Sequence, residues 1–288
     1  MPDIGYLNGR FSPLDEISIS PDDRGFLFGD GIYEVIRAYH GVPAFWKEHC
    51  TRLIRSAKEI QLPFRIEPQD FHSLLLTGLQ QSGYAEGKIY IQITRGVAPR
   101  DHGFPVDADP TIFLSFREMG ALPIEWTKQG VKVITVSDIR WNRCDIKSLN
   151  LLPNVLAKQQ AQEAKVFEAI FIRDGFVIEG ATSNIFIVKD GQLRTPERNH
   201  FVLSGVTQQH IINLAQEHGQ EVQFDRMTLD ALYQADEVFL VGTTIDVLPV
   251  VNVDGKKIHN GIPGPMTCAL QQRFTYLVTH FQEVSSEK

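Results

Sequence analysis

The sequence predicts an α+β protein of two domains, and three observations predict it. Segments that alternate apolar and polar residues, the mark of strands, are mixed with segments whose apolar residues recur at helical spacing. The two kinds do not follow one another as regular strand–helix–strand units, so a doubly wound parallel sheet is not expected. Around Met119-Gly120-Ala121-Leu122-Pro123 both patterns stop, and Gly and Pro punctuate a short connection. We therefore expect a smaller N-terminal α/β domain over 1–119, a connection over 120–124, and a larger C-terminal domain over 125–288. A length of 288 residues suits one large or two modest domains.

In the first domain, GYLNGRFSP (5–13) reads as a hairpin around Asn8-Gly9. IYEVIRAYHGVPAFWKEH (32–49) reads as a strand, a turn at His40-Gly41, and a strand entering a helix. That helix continues through EHCTRLIRSAKEI, where Leu53, Ile54, Ala57 and Ile60 share one face. KIYIQITRG and DPTIFLSFRE are strands, joined by the polar loop VAPRDHGFPVDA (97–108). The second domain opens with the strand VKVITVSDI. A helix follows near NVLAKQQAQEAKV, with Pro153 in its first turn. Strands EAIFIRDG, FVIEG, NIFIVKDG and QLRT come next, with Asp-Gly turns at 174–175 and 190–191. LSGVTQQHIINLAQEHG (203–219) reads as a glycine loop opening a helix, and EVFLVGTTIDVLPVVNVDG is strand-rich. GPMTCALQQRFTYLVTHF (264–281) reads as a closing helix.

Composition narrows the function. Lys and Arg number 28 against 35 Asp and Glu, a net charge of −7. That argues against nucleic acid or an anionic membrane as main partner, since both need a basic footprint. Cys50, Cys144 and Cys268 are far apart and form no CxxC, so free thiols in a reducing compartment are expected, without disulfides or structural zinc. The N-terminal stretch has early acidic residues and no apolar core, and no run approaches the roughly 18 apolar residues of a membrane span. The expectation is a cytoplasmic protein acting on small molecules.

Several residues carry possible chemistry. Lys147, in CDIKSLN, has Ile146, Leu149, Leu151 and Leu152 around it. It is either an ordinary surface cation or an amine that such neighbours desolvate, and a free lysine amine is the usual partner of carbonyls, pyridoxal phosphate included. Glu179 ends FVIEG before the small turn Gly180-Ala181-Thr182-Ser183-Asn184. It is either an outward strand residue or a carboxylate facing a ligand. Ser204-Gly205-Val206-Thr207 precedes an amphipathic helix, as a plain cap by Ser204 or Thr207 or as a phosphate site. Gly242-Thr243-Thr244 offers two hydroxyls after a strand. Arg52 stands on a helix near His49 and Arg55, and Arg100-Asp101-His102 sits on the loop, where Arg and His two apart suit a carboxylate. Gly29-Asp30-Gly31 does not extend to GxGxxG, so no dinucleotide site is expected.

DRGFLFGDGIYEVIRAY (23–39), EHCTRL (48–53), TRGVAPRDHGFP (94–105), IRWNRCDIKSLNLL (139–152), EGATSNIFIVKDG (179–191), LSGVTQQHI (203–211) and VGTTIDVLPV (241–250) stand in one order. That order resembles the class IV aminotransferases, the fold-type IV pyridoxal-phosphate enzymes, and within them the D-amino acid aminotransferases. The resemblance runs from about Tyr6 to the last helix. It implies that Lys147 forms the Schiff base and moves the proton between substrate Cα and cofactor C4′. It implies that Glu179 pairs with the pyridine nitrogen, and that Arg52, Val206, Thr207 and Thr243 hold the phosphate. Ser183 and Asn184 would lie near the ring, and Leu203 would pack on it. Tyr33, Arg100 and His102 would trap the substrate carboxylate, with Thr244 also at the substrate. In this family the Arg and His of the trap come from the neighbouring subunit, so a homodimer is implied.

Substrate class is the finer question. Branched-chain aminotransferases usually carry an EGSGEN-like turn and lack the Arg-x-His loop; this chain has EGATSN and an intact Arg100-Asp101-His102. Aminodeoxychorismate lyases also lack that loop. The resemblance therefore implies a D-amino acid, D-alanine first, and 2-oxoglutarate as the acceptor. A branched-chain L-amino acid or (R)-amine transaminase, or a lyase on the same scaffold, are the alternatives. A binding protein that kept the fold without activity is opposed by the joint presence of Lys147 and Glu179.

Overall fold

The computed structural model describes residues 3–280. They form an α+β chain of two compact units, one of 3–120 with 146–150, the other of 121–145 with 151–280.

The first unit is a six-stranded antiparallel sheet. Its strands are β1 (Ile4–Leu7), β2 (Arg10–Pro13), β3 (Gly31–Tyr39), β4 (Val42–Pro43), β5 (Gly87–Thr94) and β6 (Thr111–Glu118), in the order β2-β1-β6-β5-β3-β4. Three helices join it: α1 (Arg24–Phe28), α2 (Trp46–Glu59) and α3 (Pro68–Ser82). Strand side chains alternate between faces. In β3 one face buries Ile32, Glu34, Ile36 and Ala38. Ile32 and Ile36 meet Leu53 of α2 and Leu75 of α3 in one core with Ile89 and Phe116. The helix α3 is absent from the sequence reading, because LPFRIEPQD dilutes its start with prolines and charges. Its Phe71, Leu75 and Leu79, four apart, are nonetheless buried.

The second unit is a nine-stranded mixed sheet. Its strands are β7 (Val131–Ser137), β8 (Glu168–Arg173), β9 (Phe176–Gly180), β10 (Asn184–Lys189), β11 (Gln192–Pro196), β12 (Val222–Asp225), β13 (Glu237–Gly242), β14 (Asp246–Val253) and β15 (Lys256–Lys257). The order is β12-β11-β10-β13-β14-β7-β8-β9, with β15 on β14. Helices α4 (Ile124–Gln129), α5 (Leu152–Glu163), α6 (Val206–Glu217), α7 (Leu229–Tyr233) and α8 (Pro265–Thr279) complete it. Position 281, the last of the expected closing helix, lies outside the described residues. Alternation again sorts the core. Ile170 of β8 joins one apolar cluster with Ile185 and Leu248. Its neighbours Ala169 and Phe171 join another with Ala157 and Ala161 of α5.

The reading of the sequence assigns Lys147 to the second domain; in the compact units it lies with the first. The cause is backbone pairing. Ile32 and Ser148 form an antiparallel bridge, Tyr33 N donates to Lys147 O at 3.0 Å, and Leu149 N donates to Gly31 O at 3.0 Å. Among the described residues no helix is long and apolar enough to cross a membrane, and no cluster of His, Cys, Asp or Glu could hold a metal.

Candidate active site

The pairing that extends β3 with 147–149 sets Lys147 beside Tyr33. The Lys147 Nζ stands 4.3 Å from the centre of the Tyr33 ring. Its backbone N–H donates to Ser56 Oγ at 3.3 Å. Among the described residues the ammonium has no hydrogen-bond or ion-pair partner. Ile146 is buried at 5 % exposure, whereas Leu152 is 68 % exposed. It opens α5 with its side chain in solvent. The Tyr33 ring leans on Tyr90, 5.9 Å between centres. Burial, and then Tyr33, push the Tyr90 phenol up to about 12, so it stays a donor, to Gln92 Oε1 at 2.7 Å.

One residue on, Glu34 points into the core, where a carboxylate needs partners. Helix α2 supplies them. Arg52 Nε donates to Oε1 at 2.7 Å and Nη2 to Oε2 at 2.8 Å, while His49 Nδ1 meets Oε2 at 2.8 Å. His49 and Arg52 are three apart and share a helix face. Burial alone would raise the Glu34 carboxyl; Arg52 and then His49 outweigh it and hold it well below the usual carboxylate range. Burial lowers the His49 imidazole, and the charges of Arg52 and Lys147 add to that against Glu34. The Arg52 expected at a phosphate is thus fixed in plane by a bidentate acid.

Arg100 and His102 sit on the loop after β5, and both are exposed. The Arg100 guanidinium lies 5.3 Å from the centre of the Phe28 ring, and the His102 ring lies 5.3 Å from the same ring. Phe28 therefore gathers the two residues expected to trap a carboxylate on one aromatic surface.

In the second unit, Glu179 ends β9 and is buried at 5 % exposure. Arg140 Nη1 donates to Oε1 at 2.5 Å. Oε2 accepts from Asn184 Nδ2 at 3.2 Å and from the Leu203 N–H at 3.0 Å. Asn184 Nδ2 also donates to Leu203 O at 2.9 Å. Glu179, Asn184 and Leu203 thus come together; Arg140 is the member the sequence reading missed. Arg140 is held in turn by Asp138, through Nε to Oδ1 and Nη2 to Oδ2, both 3.0 Å. Burial would raise the Asp138 carboxyl, but Arg140 outweighs it and keeps it lowered. Burial pushes the nearby Cys144 thiol up to about 11, which makes it an inert core residue.

Ser183 is turned away from that group. Its Oγ donates to Glu168 Oε2 at 3.3 Å, which also takes Thr182 Oγ1 at 2.6 Å and Thr182 N at 3.2 Å. Glu168, fully buried, pins the turn after Glu179. The helix α6 begins with Gly205 as N-cap, a residue with no side chain to cap it. Its first N–H groups have no acceptor within the helix. A Cβ on Gly205 would lie 2.0 Å from Asn184 Oδ1, so a larger residue there would push on the Asn184 amide. The hydroxyls of Thr207, Thr243 and Thr244 have no hydrogen-bond partner among the described residues. Thr207 is buried, and Thr243 and Thr244 are half-buried in the turn after β13.

Arg140, Glu34 and Glu168 escaped the sequence reading. A signal existed for Glu34, which falls in register with Ile32, Ile36 and Ala38 on the apolar side of its strand. Arg140 lies 39 residues from Glu179, and nothing in its spacing announces the pair.

The model of the family Amino-transferase class IV matches residues 31–253. The chain is 41% identical over 276 residues to a D-alanine aminotransferase of Staphylococcus epidermidis, covering 96% of this chain and 98% of the relative. It is 41% identical over 265 residues to a D-alanine aminotransferase of Bacillus licheniformis, covering 92% and 93%. Among solved structures it is similar to a branched-chain amino acid aminotransferase of T.th. with pyridoxamine 5′-phosphate, at TM-score 0.88 and 30% identity, covering 96% of this chain and 94% of that one. It is also similar to the branched-chain amino acid aminotransferase of Escherichia coli, at TM-score 0.90 and 28% identity, covering 97% and 95%.

Proposed function

This chain belongs to the class IV aminotransferase family, and on that premise we propose that it moves the amino group of a D-amino acid, D-alanine first, to a 2-oxo acid, 2-oxoglutarate first. The observation that carries the reading is the Lys147 ammonium, half-buried over Tyr33 with no acid and no acceptor beside it among the described residues. A structural lysine in that setting would be paired.

The residues fit pyridoxal phosphate. A phosphate asks for hydrogen-bond donors, and α6 begins at a glycine with its first N–H groups lacking acceptors within the helix, with the Thr207 and Thr243 hydroxyls uncommitted. A pyridinium asks for a fixed carboxylate, and Glu179 is one. When bound, the cofactor supplies a carbonyl that takes up the amino group and a ring that draws electrons from the substrate Cα. Arg52, Val206, Thr207 and Thr243 would hold its phosphate; Glu179, with Asn184 and Leu203 bonded to it, would hold its ring, and Ser183 would support the turn beside them through Glu168. Arg140 orients Glu179 by a charge-assisted bond. Lys147 serves as the base that takes the Cα proton and the acid that returns it. Tyr33, Arg100 and His102 grip the substrate carboxylate, with Thr244 beside the substrate, and the cycle is ping-pong.

We place the trap's Arg100 and His102 in a neighbouring copy's site, as a homodimer. Their exposure supports this, and so do Phe26 and Val106 nearby, 77 % and 95 % exposed. The cytoplasm is the proposed location, supported by three free cysteines. Branched-chain L-amino acid transfer is the second reading, favoured by the solved structures named above.

A half-reaction panel decides. D-alanine should convert the bound cofactor to its aminated form, and L-leucine should not; the reverse result overturns the D-amino acid reading in favour of the second. Arg100→Ala should lower kcat/KM for D-alanine about 100-fold while cofactor uptake holds, the loss expected for charge-assisted bonds to a desolvated carboxylate.

A further inference from the structure

The segment DRGFLFGDG makes no nucleotide motif, and the structure gives it another task. Asp23 caps the short helix α1, taking the Gly25 N–H on Oδ1 at 2.8 Å and Thr94 Oγ1 on Oδ2 at 2.9 Å. Gly29 closes that helix at φ +66°, a left-handed turn that brings Asp30 back to Arg24. Asp30 Oδ2 then accepts from two buried arginines, Arg24 Nε at 2.8 Å and Arg95 Nε at 2.9 Å. The far side of the Arg24 fork reaches 77 residues along the chain. Its Nη1 donates to Asp101 O at 2.6 Å and its Nη2 to His102 O at 3.5 Å. Arg95 lies 3.7 Å from the centre of the Phe104 ring on the same loop.

Besides Phe28 beneath Arg100 and His102, and a turn in which Gly103 N donates to Asp101 Oδ1 at 2.7 Å, little else fixes the loop. Positions 99–104 are exposed, and an open cavity of about 450 Å³, lined by Arg24, Val97, Asp101, Phe104 and Val106, lies against it. Its stem is tied at Ala98, whose N–H donates to Asp22 O at 3.3 Å. Beyond the stem, the buried fork holds the carbonyls of two consecutive peptides, Asp101–His102 and His102–Gly103. We infer that Arg24 is a positioning residue of the carboxylate trap: it sets the backbone from which Arg100 and His102 project and thereby their aim at a substrate carboxylate. This rests on the D-amino acid reading for its kinetic consequence, though not for the clamp itself.

The test uses the holoenzyme and two variants. Arg24→Met keeps the length and removes the fork; Arg24→Lys keeps a cation against Asp30 but cannot span two carbonyls, and it carries the test if the first variant does not fold. In either variant, amide hydrogen exchange should rise over 98–106 and stay at the wild-type rate in α2 and α3. For D-alanine, kcat/KM should fall about 100-fold in Arg24→Met, mostly through KM, since a misplacement of about 1 Å costs that much. In an Arg100→Ala background the same change should cost less than about threefold, because residues acting as a unit are not additive. Unchanged exchange over 98–106, or equal losses in both backgrounds, overturns the inference. A wild-type enzyme that ignores D-alanine overturns the substrate reading instead, and the exchange result still decides the clamp.

Discussion

Two lysines of this chain lie over aromatic rings at nearly the same distance. Lys147 Nζ is 4.3 Å from the Tyr33 centre in the first unit, and Lys158 Nζ is 4.6 Å from the Phe167 centre in the second. Both are half-buried. Lys158 donates to Phe167 O at 2.5 Å and faces Glu168 Oε1 at 3.6 Å. Lys147 has neither kind of partner among the described residues, although a buried carboxylate stands next in sequence to its Tyr33 neighbour. That carboxylate, Glu34, is consumed by Arg52 and His49. A ring beneath an ammonium therefore does not mark a reactive amine. What separates the two is where the local acid is spent: on the lysine in one unit, and on an arginine and a histidine in the other.

The sharpest way to break this contrast is to remove Lys147. Lys147→Ala should cut transamination by at least about 10³-fold, the lower range for losing a proton-transferring group plus a covalent anchor. Visible absorbance of the bound cofactor should change with it. Activity within about tenfold of wild type would return Lys147 to the class of ordinary surface cations.

Glu34 comes next. Glu34→Gln removes one member of a buried ion group and should cost about 3 kcal/mol at pH 7, measured by urea denaturation. The pH dependence gives the sharper reading. The folded Glu34 carboxyl lies well below its ordinary value of 4.5. Its stabilisation is therefore complete above pH 4.5 and drains away as pH falls towards the folded value. The gap between wild type and Glu34→Gln should narrow steadily below pH 4.5. The His49 imidazole, lowered from 6.5, acts in the same direction earlier: below pH 6.5 the unfolded chain takes up that proton first, so stability declines. A gap that stays constant from about pH 7 to about pH 3 would mean that Glu34 is not held as an anion.

Much of the candidate site is legible in the sequence because its residues sit in contiguous motifs. Lys147 in CDIKSLN, Glu179 before EGATSN and Arg100-Asp101-His102 are each local, and their order along the chain marks them jointly as candidates. The two sheets were legible wherever strands alternate and Asp-Gly turns intervene. The supporting residues were not. Arg140 and Glu168 act through partners 39 and 14 residues away, and a sequence cannot say which arginine meets which acid. Arg24 donates to backbone carbonyls, which have no sequence signature at all. Leu152 misleads for the opposite reason: contiguity with Lys147 suggests shielding, but the start of α5 turns it outward.

The smallest predicted effect belongs to the other lysine and bears most directly on the contrast. Lys158→Ala removes an ion pair whose lysine side chain is 33 % exposed, so solvent already screens it. Glu168 would not be stranded. It keeps the Ala169 N–H at 3.1 Å, the Thr182 N–H at 3.2 Å and hydroxyl at 2.6 Å, and Ser183 Oγ at 3.3 Å. The turn after Glu179 should hold its shape, with a stability loss of about 1 kcal/mol or less and kcat within about twofold. A large fall in kcat would mean that the turn depends on the lysine and that Lys158 reaches the chemistry through Glu168. In that case being paired with an acid would no longer separate a structural lysine from a functional one in this chain.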